Sequence, residues 1–501
     1  MNTYTTKEQV HNRGIEAIGK SLAEISAVMN VKTSGKKSKA GDAWESWFGV
    51  EKNSIAGADL AEAGVELKAT AIINTTKGSK TAKERLVLNI INYIEEYDKD
   101  FASSSFWNKN KYMELGLYGY EKDTPWTEWT ILKSVLYSFP EKDLLIIKQD
   151  WEKIHKYIQE GRAHELSEGM TMYLGACTKG KNSSSTRKQH PSLNAPDAMQ
   201  RAYSLKNKYM TAIVREIIFA NKEIPGIRTT PFLDGEILET NPNISTEEQI
   251  ISDPSILKEV TFETYIINRL NEYKDMTVSS LAKIFKISAK DNGKFPKSIN
   301  SMLASRMLGI KGDLEKTEEF FKANIEVKTI RIKKNGTIAE DMSFPTFKFK
   351  DLVKEEWVNS TLRTEFDSSK YLFVVFVELE DGNYKYVGSK FWTMPERDLE
   401  TVVKYAWLKT KKTLIEGVEL FYDTKKNIVK NNFLKSSDDE IIHIRPHAAK
   451  ASYIAYNPNA NQLPNTAKWI NKPKNYSDDW MTKQCFWLNK KYVKDQIKDL
   501  L

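Results

Sequence analysis

Residues 59–68 have the sequence DLAEAGVELK, which brings two acidic residues and a lysine together at a spacing that chemistry can use. A glycine precedes residues 65–73, which are rich in β-branched and apolar types, so we predict a turn that enters a strand. Because side chains alternate along a strand, Glu66 and Lys68 share one face. Asp59 lies far enough upstream to place its carboxylate beside that of Glu66.

Two converging carboxylates suit a divalent cation, and Mg²⁺ prefers oxygen ligands and keeps several waters for chemistry. Lys68 alongside would orient or activate an attacking water and offset the charge of a phosphate. The alternative is that Asp59, Glu66 and Lys68 are solvated residues of an ordinary strand edge. A chain rich in lysine and acidic residues contains such triplets by accident, so the choice depends on the sequence around them.

A third acidic residue lies upstream. Residues 42–49, DAWESWFG, predict a helix with an apolar face of two tryptophans and a phenylalanine, ended by a glycine. Glu45 lies on this helix, before Asp59. We therefore take Glu45, Asp59, Glu66 and Lys68 as the candidate catalytic residues.

In this order, Glu45, Asp59 and the run from Glu66 to Lys68 resemble the active-site signature of the MutH-like endonucleases. That family is a branch of the PD-(D/E)XK nuclease fold. The resemblance implies an α/β (α+β) fold of the restriction-endonuclease type. It also implies a Mg²⁺ site held by Asp59, Glu66 and Glu45.

Two further segments of the first half resemble the DNA-reading segments of this family. Residues 174–180, LGACTKG, include Thr178 and Lys179, and residues 202–209 end at Tyr209. A basic loop that follows a strand is well placed to enter a DNA groove and donate to phosphates or base edges. We expect these three residues to contact DNA.

The length, charge and composition of the chain limit the classes of protein to which it can belong. A chain of 501 residues is too long for one ordinary core, so two domains are expected. Its 75 basic and 67 acidic residues leave a net charge of +8, which permits a nucleic-acid partner without identifying one. The two cysteines lack metal-ligand spacing, and no long apolar run occurs. A cytoplasmic protein without a membrane span is expected.

The sequence repeats itself, in order, along its two halves. The matched pairs are residues 21–23 with 280–282, 65–68 with 325–328, 139–144 with 394–399, and 205–209 with 488–492. An ordered series of this kind predicts two tandem copies of one fold. Residues 221–260 contain four prolines and many polar residues, which predicts a linker. We therefore expect a catalytic domain over 1–220, a linker over 221–260 and a second domain over 261–501.

The second copy lacks part of the catalytic set. Alignment of the two halves places Ser305 where Glu45 stands and Glu319 where Asp59 stands. One acidic residue is lost and another is longer, and either change impairs a metal site. The second domain is therefore expected to bind DNA without cutting it.

The second half carries its own candidate DNA-binding loop. Residues 444–450, IRPHAAK, are similar to the recognition loop RPKAA of the MutH-like family. Arg445, His447 and Lys450 are the candidate contacts in this loop, and Tyr492 is the counterpart of the tyrosine that ends the first DNA-reading segment.

Taken over the whole chain, the resemblance implies a type II restriction endonuclease that makes Mg²⁺-dependent double-strand cuts at GATC. With one competent site per chain, two molecules are expected to meet on DNA as a dimer. Two alternatives stay open from the sequence: a strand-nicking mismatch-repair endonuclease, and a non-catalytic DNA-binding protein built from two eroded nuclease folds. Double-strand cuts, nicks, or binding alone would distinguish the three.

Overall fold

A computed structural model of the chain describes residues 4–29, 39–50, 57–75, 78–180, 185–219, 226–232, 248–290, 294–438 and 441–501. The chain forms two compact units. Unit 1 consists of Met1–Tyr265 and Gly312–Ile325, and unit 2 consists of Ile266–Lys311 and Glu326–Leu501. In the described part of the chain, no helix has the length and apolar character that crossing a bilayer requires.

The α-helices of the described residues are, in chain order, α1 (Lys7–Ile15), α2 (Leu22–Ser26), α3 (Lys39–Trp47), α4 (Ser105–Asn110), α5 (Glu141–Gln159), α6 (Asn207–Phe219), α7 (Phe262–Asn271), α8 (Val278–Ile284), α9 (Ile299–Met307), α10 (Glu318–Ala323), α11 (Phe349–Leu352), α12 (Thr361–Ser368), α13 (Glu396–Asp398), α14 (Lys404–Glu416) and α15 (Lys490–Gln496). A π-helical segment, Leu399–Val403, joins α13 to α14.

The strands are, in chain order, β1 (Glu66–Asn74), β2 (Lys80–Ala82), β3 (Leu86–Ile90), β4 (Met113–Gly119), β5 (Ile131–Tyr137), β6 (Leu174–Thr178), β7 (Thr186–Arg187), β8 (Ala198–Met199), β9 (Arg201–Leu205), β10 (Ile227–Arg228), β11 (Ile325–Ile332), β12 (Met342–Phe347), β13 (Lys370–Glu378), β14 (Tyr384–Trp392), β15 (Glu419–Asp423), β16 (Ile428–Asn431), β17 (Ile442–Pro446), β18 (Ala460–Gln462), β19 (Lys468–Ile470), β20 (Trp480–Thr482) and β21 (Gln484–Leu488).

Unit 1 is built on a mixed sheet with the order β10-β5-β4-β1-β2, in which β1 and β4 are parallel. Helix α3 packs against this sheet through Trp44, which is fully buried and donates from Nε1 to the carbonyl of Glu114 on β4 at 3.1 Å. A Cβ atom on Gly116 would lie 2.8 Å from the Trp44 ring, so only glycine permits this approach. The helix predicted over 42–49 and the strand predicted over 65–73 are both present, and the helix packs against the sheet that contains the strand.

A second sheet of unit 1, in the order β3-β9-β6, has a counterpart in unit 2 in the order β12-β21-β17. In unit 1 the last residue of the middle strand, Leu205, pairs with the first residue of each outer strand. In unit 2 Leu488, the last residue of β21, pairs in the same way with the first residues of β12 and β17. Both sheets also have a register shift after the second residue of the first outer strand.

The ends of α3 and α9 are also alike. After α3, the carbonyl of Glu45 accepts a hydrogen bond from the backbone of Val50 at 3.0 Å. After α9, the carbonyl of Ser305 accepts one from the backbone of Ile310 at 2.9 Å. A glycine with positive φ precedes the donor in each case. Ser305 therefore has the same place at the end of its helix as Glu45 has at the end of α3.

The structure divides the chain at a different place from the predicted linker. Within residues 221–260, the described parts 226–232 and 248–260 belong to unit 1. Strand β10 pairs with β5, and Gln149 donates to the carbonyl of Leu257 at 2.8 Å. These contacts make the described part of the predicted linker an integral part of the first unit. Residues 312–325, which we assigned to the second domain, also pack in unit 1.

Candidate active site

A tight turn brings Asp59 next to Glu66. Leu60 and Val65 form an isolated antiparallel bridge, with backbone hydrogen bonds of 3.0 and 3.2 Å. Gly64 has a φ of 65°, a conformation that residues with a side chain rarely adopt. The chain therefore folds back on itself immediately before β1 and lays Asp59 beside the first residue of that strand.

The two carboxylates anchor each other through the backbone. The backbone N–H of Asp59 donates to Oε2 of Glu66 at 3.1 Å, and the backbone N–H of Leu67 donates to Oδ2 of Asp59 at 3.1 Å. The Glu66 side chain is only 1% exposed. Each acid is thus oriented by the chain segment that carries the other, which fixes the pair.

Two lysines converge on Glu66. Nζ of Lys68 lies 2.5 Å from Oε1 of Glu66, as expected for residues two apart on one face of a strand. Nζ of Lys109 lies 3.5 Å from the same oxygen and 3.9 Å from Oδ1 of Asp59. Lys109 was not among the predicted site residues, because it lies on α4, which leads into β4 beside β1. No linear spacing signals this approach.

Burial, two carboxylates and two ammonium groups determine the electrostatics of the site. Burial raises the pKa of Glu66 above its ordinary value; the charge of Lys68 opposes this shift and that of Asp59 adds to it. The two carboxylates converge at the end of a strand, and ammonium groups now balance their charge. Two oxygen donors of this kind fit a divalent cation, which would share Glu66 and Asp59 with the lysines.

Comparison with known proteins places this chain in a family. The model of the DNA mismatch repair enzyme MutH matches residues 48–150, a span that contains Asp59, Glu66, Lys68 and Lys109. The whole chain is 42% identical to the type II restriction enzyme Sau3AI of Staphylococcus aureus, over 522 residues that cover 100% of both chains. The chain belongs to the MutH-like type II restriction endonucleases. It is a site-specific nuclease, and the predicted family and enzyme class are confirmed.

The predicted third acid, Glu45, lies on a helix and not in the turn that carries the pair. Within the described ranges, no three or more His, Cys, Asp and Glu side chains come together as a metal site. Glu45 lies on α3, which the packing of Trp44 fixes against the sheet. Asp59 and Glu66 are the two acids that the hydrogen bonds bring together, and the role of Glu45 as a third metal ligand stays a prediction.

The predicted DNA contacts of unit 1 differ in accessibility. Thr178 is the last residue of β6 and is partly exposed, and Lys179, which follows it, is exposed. Tyr209 has no exposed surface. Its hydroxyl lies 2.6 Å from that of Tyr137 and donates to Asp143 at 2.9 Å. The assignment of Tyr209 to DNA binding is therefore corrected: its ring and hydroxyl are both used inside the unit.

The predicted DNA contacts of unit 2 also include both exposed and buried residues. Arg445, near the end of β17, and His447 and Lys450, which follow this strand, are exposed. Arg445 forms an ion pair with Asp341 at 2.5 Å. Tyr492 is buried and donates to Asp398 at 2.8 Å, so it also serves the interior and not a DNA surface.

Unit 2 contains a lysine–glutamate pair similar to that of β1. Nζ of Lys328 lies 2.7 Å from Oε2 of Glu326, which repeats the pairing seen on β1. Glu319, predicted to stand in for Asp59, instead lies on α10 in unit 1. A different acid, Glu365 of α12, is hydrogen-bonded to Glu326 and accepts from the Tyr371 hydroxyl at 3.5 Å. The prediction that Glu319 replaces Asp59 beside the strand is therefore wrong.

The Glu326–Glu365 pair predicts a pH-dependent stability. Burial, followed by the charge of Glu326, raises the pKa of Glu365 from 4.5 to about 7. The folded state therefore holds this proton more tightly than the unfolded state, and stability falls as the pH rises from 4.5 through 7. We expect Glu365→Gln to stabilise the enzyme by about 2 kcal/mol at pH 8 and much less at pH 5.

Thermal unfolding of both proteins between pH 5 and 8 measures this difference. Glu356→Gln, on a side chain that is 85% exposed, is the control and should show no such pH dependence. An equal shift of the Glu365→Gln melting temperature at every pH would contradict the raised pKa.

Proposed function

We propose that this endonuclease makes double-strand cuts at GATC in a Mg²⁺-dependent reaction, with Asp59 and Glu66 as metal ligands and Lys68 as the catalytic lysine. The observation that carries the proposal is the reciprocal anchoring of Asp59 and Glu66, with two lysines on Glu66, inside the span that matches MutH. The GATC target rests on the resemblance to two-domain enzymes and on full-length similarity to Sau3AI.

A bound Mg²⁺ would act as a Lewis acid on the scissile phosphate. Asp59 and Glu66 would hold it, since their carboxylates converge and are fixed by backbone donors. Lys68 would orient the attacking water and help stabilise the negative charge that develops on the phosphate oxygens. A new bond forms from the water oxygen to phosphorus, and the bond from phosphorus to the 3′ oxygen breaks. The products are a 5′-phosphate and a 3′-hydroxyl.

Lys109 is the second lysine of the proposed site. Its ammonium lies between both carboxylates, so it would balance their charge in the free enzyme and face the phosphate when DNA is bound. We expect Lys109→Ala to lower the single-turnover cleavage rate by about 10²-fold, because one charged donor near the reacting phosphate is lost. DNA affinity measured without divalent metal should change little.

Lys111→Ala is the matched control for Lys109. Lys111 is exposed and lies over the rings of Trp107 and Tyr112, away from the acids. Its replacement should leave the cleavage rate almost unchanged. Equal cleavage rates for the Lys109→Ala and Lys111→Ala variants would show that Lys109 is not part of the active site.

We further propose that the two units are copies of one nuclease fold and that unit 2 binds DNA without cutting it. The identical strand pairing of the β3-β9-β6 and β12-β21-β17 sheets supports the duplication. The exposed Arg445, His447 and Lys450 support a DNA-contacting role in unit 2, as Thr178 and Lys179 do in unit 1. One competent site per chain then favours a dimer on DNA for cutting both strands.

Digestion of unmethylated plasmid DNA with several GATC sites tests the proposal. The intact enzyme with Mg²⁺ should give discrete fragments that end at GATC, and chelation of the metal should abolish cutting without releasing the DNA. Fragments with other ends would refute the target, and nicked circles alone would favour a strand-nicking enzyme.

A further inference from the structure

A tyrosine–aspartate hydrogen bond occurs at the same point of both units. In unit 1 Tyr209, at the start of α6, donates to Asp143, near the start of α5, at 2.9 Å. In unit 2 Tyr492, at the start of α15, donates to Asp398 of α13 at 2.8 Å. The aspartates belong to the repeated hexapeptides FPEKDL and MPERDL. The surroundings of the two pairs can therefore be compared residue by residue.

In unit 1 a short helix covers this pair. Lys322 of α10 donates to Asp143 at 3.0 Å, and Lys142 donates to Glu319 of α10 at 2.8 Å. Phe321 of the same helix lies near the cationic groups of two residues on α6, Lys208 at 5.2 Å and Arg215 at 5.1 Å. Helix α10 thus offers an acid, an aromatic ring and a lysine to one face of unit 1.

Among the described residues of unit 2, the corresponding face contains a cavity. Its volume is about 740 Å³, it lies beside Asp398 and Tyr492, and its lining also includes Arg397, Thr401, Val402 and Lys491. Arg397 stands in the hexapeptide where Lys142 stands in unit 1. The side chain of Lys142 is 2% exposed and that of Arg397 is 88% exposed.

The wall of this cavity contains one extra residue. The interval from the hexapeptide to the next tryptophan is one residue longer in unit 2, where it ends at Trp407, than in unit 1, where it ends at Trp151. The π-helical segment Leu399–Val403 accommodates this residue, and two of its members, Thr401 and Val402, line the cavity. Insertions of this kind commonly occur at functional sites.

We propose that this cavity in unit 2 binds a short helix of a partner protein that presents an acid, an aromatic ring and a lysine in the manner of α10. The groups that hold the acid, the lysine and one side of the aromatic ring of α10 in unit 1 have chemical equivalents in the lining of this cavity. Arg397, which donates to Asp398 at 3.0 Å in the free chain, would take the acid on binding, Asp398 would take the lysine, and the exposed Lys491 would cover the aromatic ring. The site rests on the proposed duplication of the two units and is independent of DNA cleavage.

A fluorescent peptide with the sequence of residues 312–325 is the probe. Its binding to the full-length chain is measured by anisotropy. We expect saturable binding that Arg397→Glu weakens by about tenfold or more, since a charge pair is reversed. Lys412→Glu, a charge reversal at another exposed residue of unit 2, is the control and should leave the affinity unchanged. A peptide with Glu318→Arg and Glu319→Arg should recover affinity for the Arg397→Glu chain.

Three results of the peptide experiments would overturn the proposal. These are the absence of saturable binding, an affinity that Arg397→Glu does not alter, and cross-linking of the peptide to unit 1 in place of unit 2. Self-association of the chain that Arg397→Glu abolishes, measured by sedimentation, would assign the cavity to a second copy of this chain and refute a partner helix. Melting temperatures of all variants verify folding, and cleavage by the unmodified chain reports separately on the proposed function.

Discussion

Replacement of Lys68 by alanine is expected to lower the single-turnover rate of DNA cleavage by about 10³-fold, with little change in DNA affinity. Nζ of Lys68 lies 2.5 Å from Oε1 of Glu66, and the side chain keeps a 17% exposed fraction through which it can meet substrate. Affinity for DNA depends on basic contacts distributed elsewhere, so it should survive the loss of one lysine. Rapid-quench cleavage and a gel-shift titration without divalent metal measure the two quantities.

Lys328→Ala is the closest control that the chain offers. Lys328 and Glu326 have the same spacing on β11 as Lys68 and Glu66 have on β1, and their side chains pair at 2.7 Å. The acid next to Glu326 is Glu365, however, and not an aspartate from a preceding turn. Lys328→Ala should therefore cleave at the rate of the unmodified enzyme. If Lys68→Ala and Lys328→Ala lost activity equally, unit 2 would contain a working site, and the proposal that unit 2 binds DNA without cutting it would be wrong.

The sequence was sufficient to predict the local part of the site. Alternation along β1 placed Glu66 and Lys68 on one face, and the glycine-containing turn placed Asp59 beside them. Both relations depend on neighbours in the chain, for which backbone geometry is a reliable guide. Lys109 depends on the parallel pairing of β1 with β4, a contact between distant segments. No pattern in a single sequence specifies that pairing.

The tyrosines were misassigned because a resemblance in sequence does not report burial. Tyr209 and Tyr492 end segments that resemble DNA-reading segments, yet each donates a hydrogen bond to a buried aspartate. Burial raises the pKa of Tyr209 well above its ordinary value, which keeps the hydroxyl protonated as a donor. The repeated aspartate and tyrosine in the two halves were a signal of this pairing, since their separate repeats were both visible in the sequence.

Glu319 was misplaced because equal chain length does not imply equal structure. Residues 57–65 contain two glycines and form a turn, whereas residues 318–323 form α10. Thr317 precedes this helix in an extended conformation, and Asn324 ends it with a φ of 54°. A threonine before and an asparagine after a run of good helix formers predict a helix. These local signals for a helix are stronger evidence than the position of Glu319 seven residues before Glu326.

Replacement of Glu319 by alanine is expected to destabilise unit 1 by about 3 to 5 kcal/mol, the usual cost of breaking a buried ion pair. Glu319 is fully buried, accepts from Lys142 at 2.8 Å, and accepts from the backbones of Ile250 and Ile251 at 3.0 Å each. Its loss leaves two backbone donors and much of the Lys142 charge without an acceptor. Thermal unfolding and hydrogen exchange of residues 248–262 measure the effect. Glu62→Ala, at an exposed site of unit 1, is the control.

Replacement of both Lys142 and Glu319 separates the effect of the buried charge on stability from the effect of side-chain packing. In Lys142→Met/Glu319→Leu the buried ammonium is absent and apolar side chains fill the space, so much of the lost stability should return. A double-mutant cycle between Lys142 and Glu319 should then give a coupling free energy of about 1 to 3 kcal/mol. If Glu319→Ala melted like Glu62→Ala and left residues 248–262 protected, α10 would not be part of unit 1. Unit 1 would then provide no example of a helix that covers the tyrosine–aspartate pair, and the inference of a helix-binding cavity in unit 2 depends on that example.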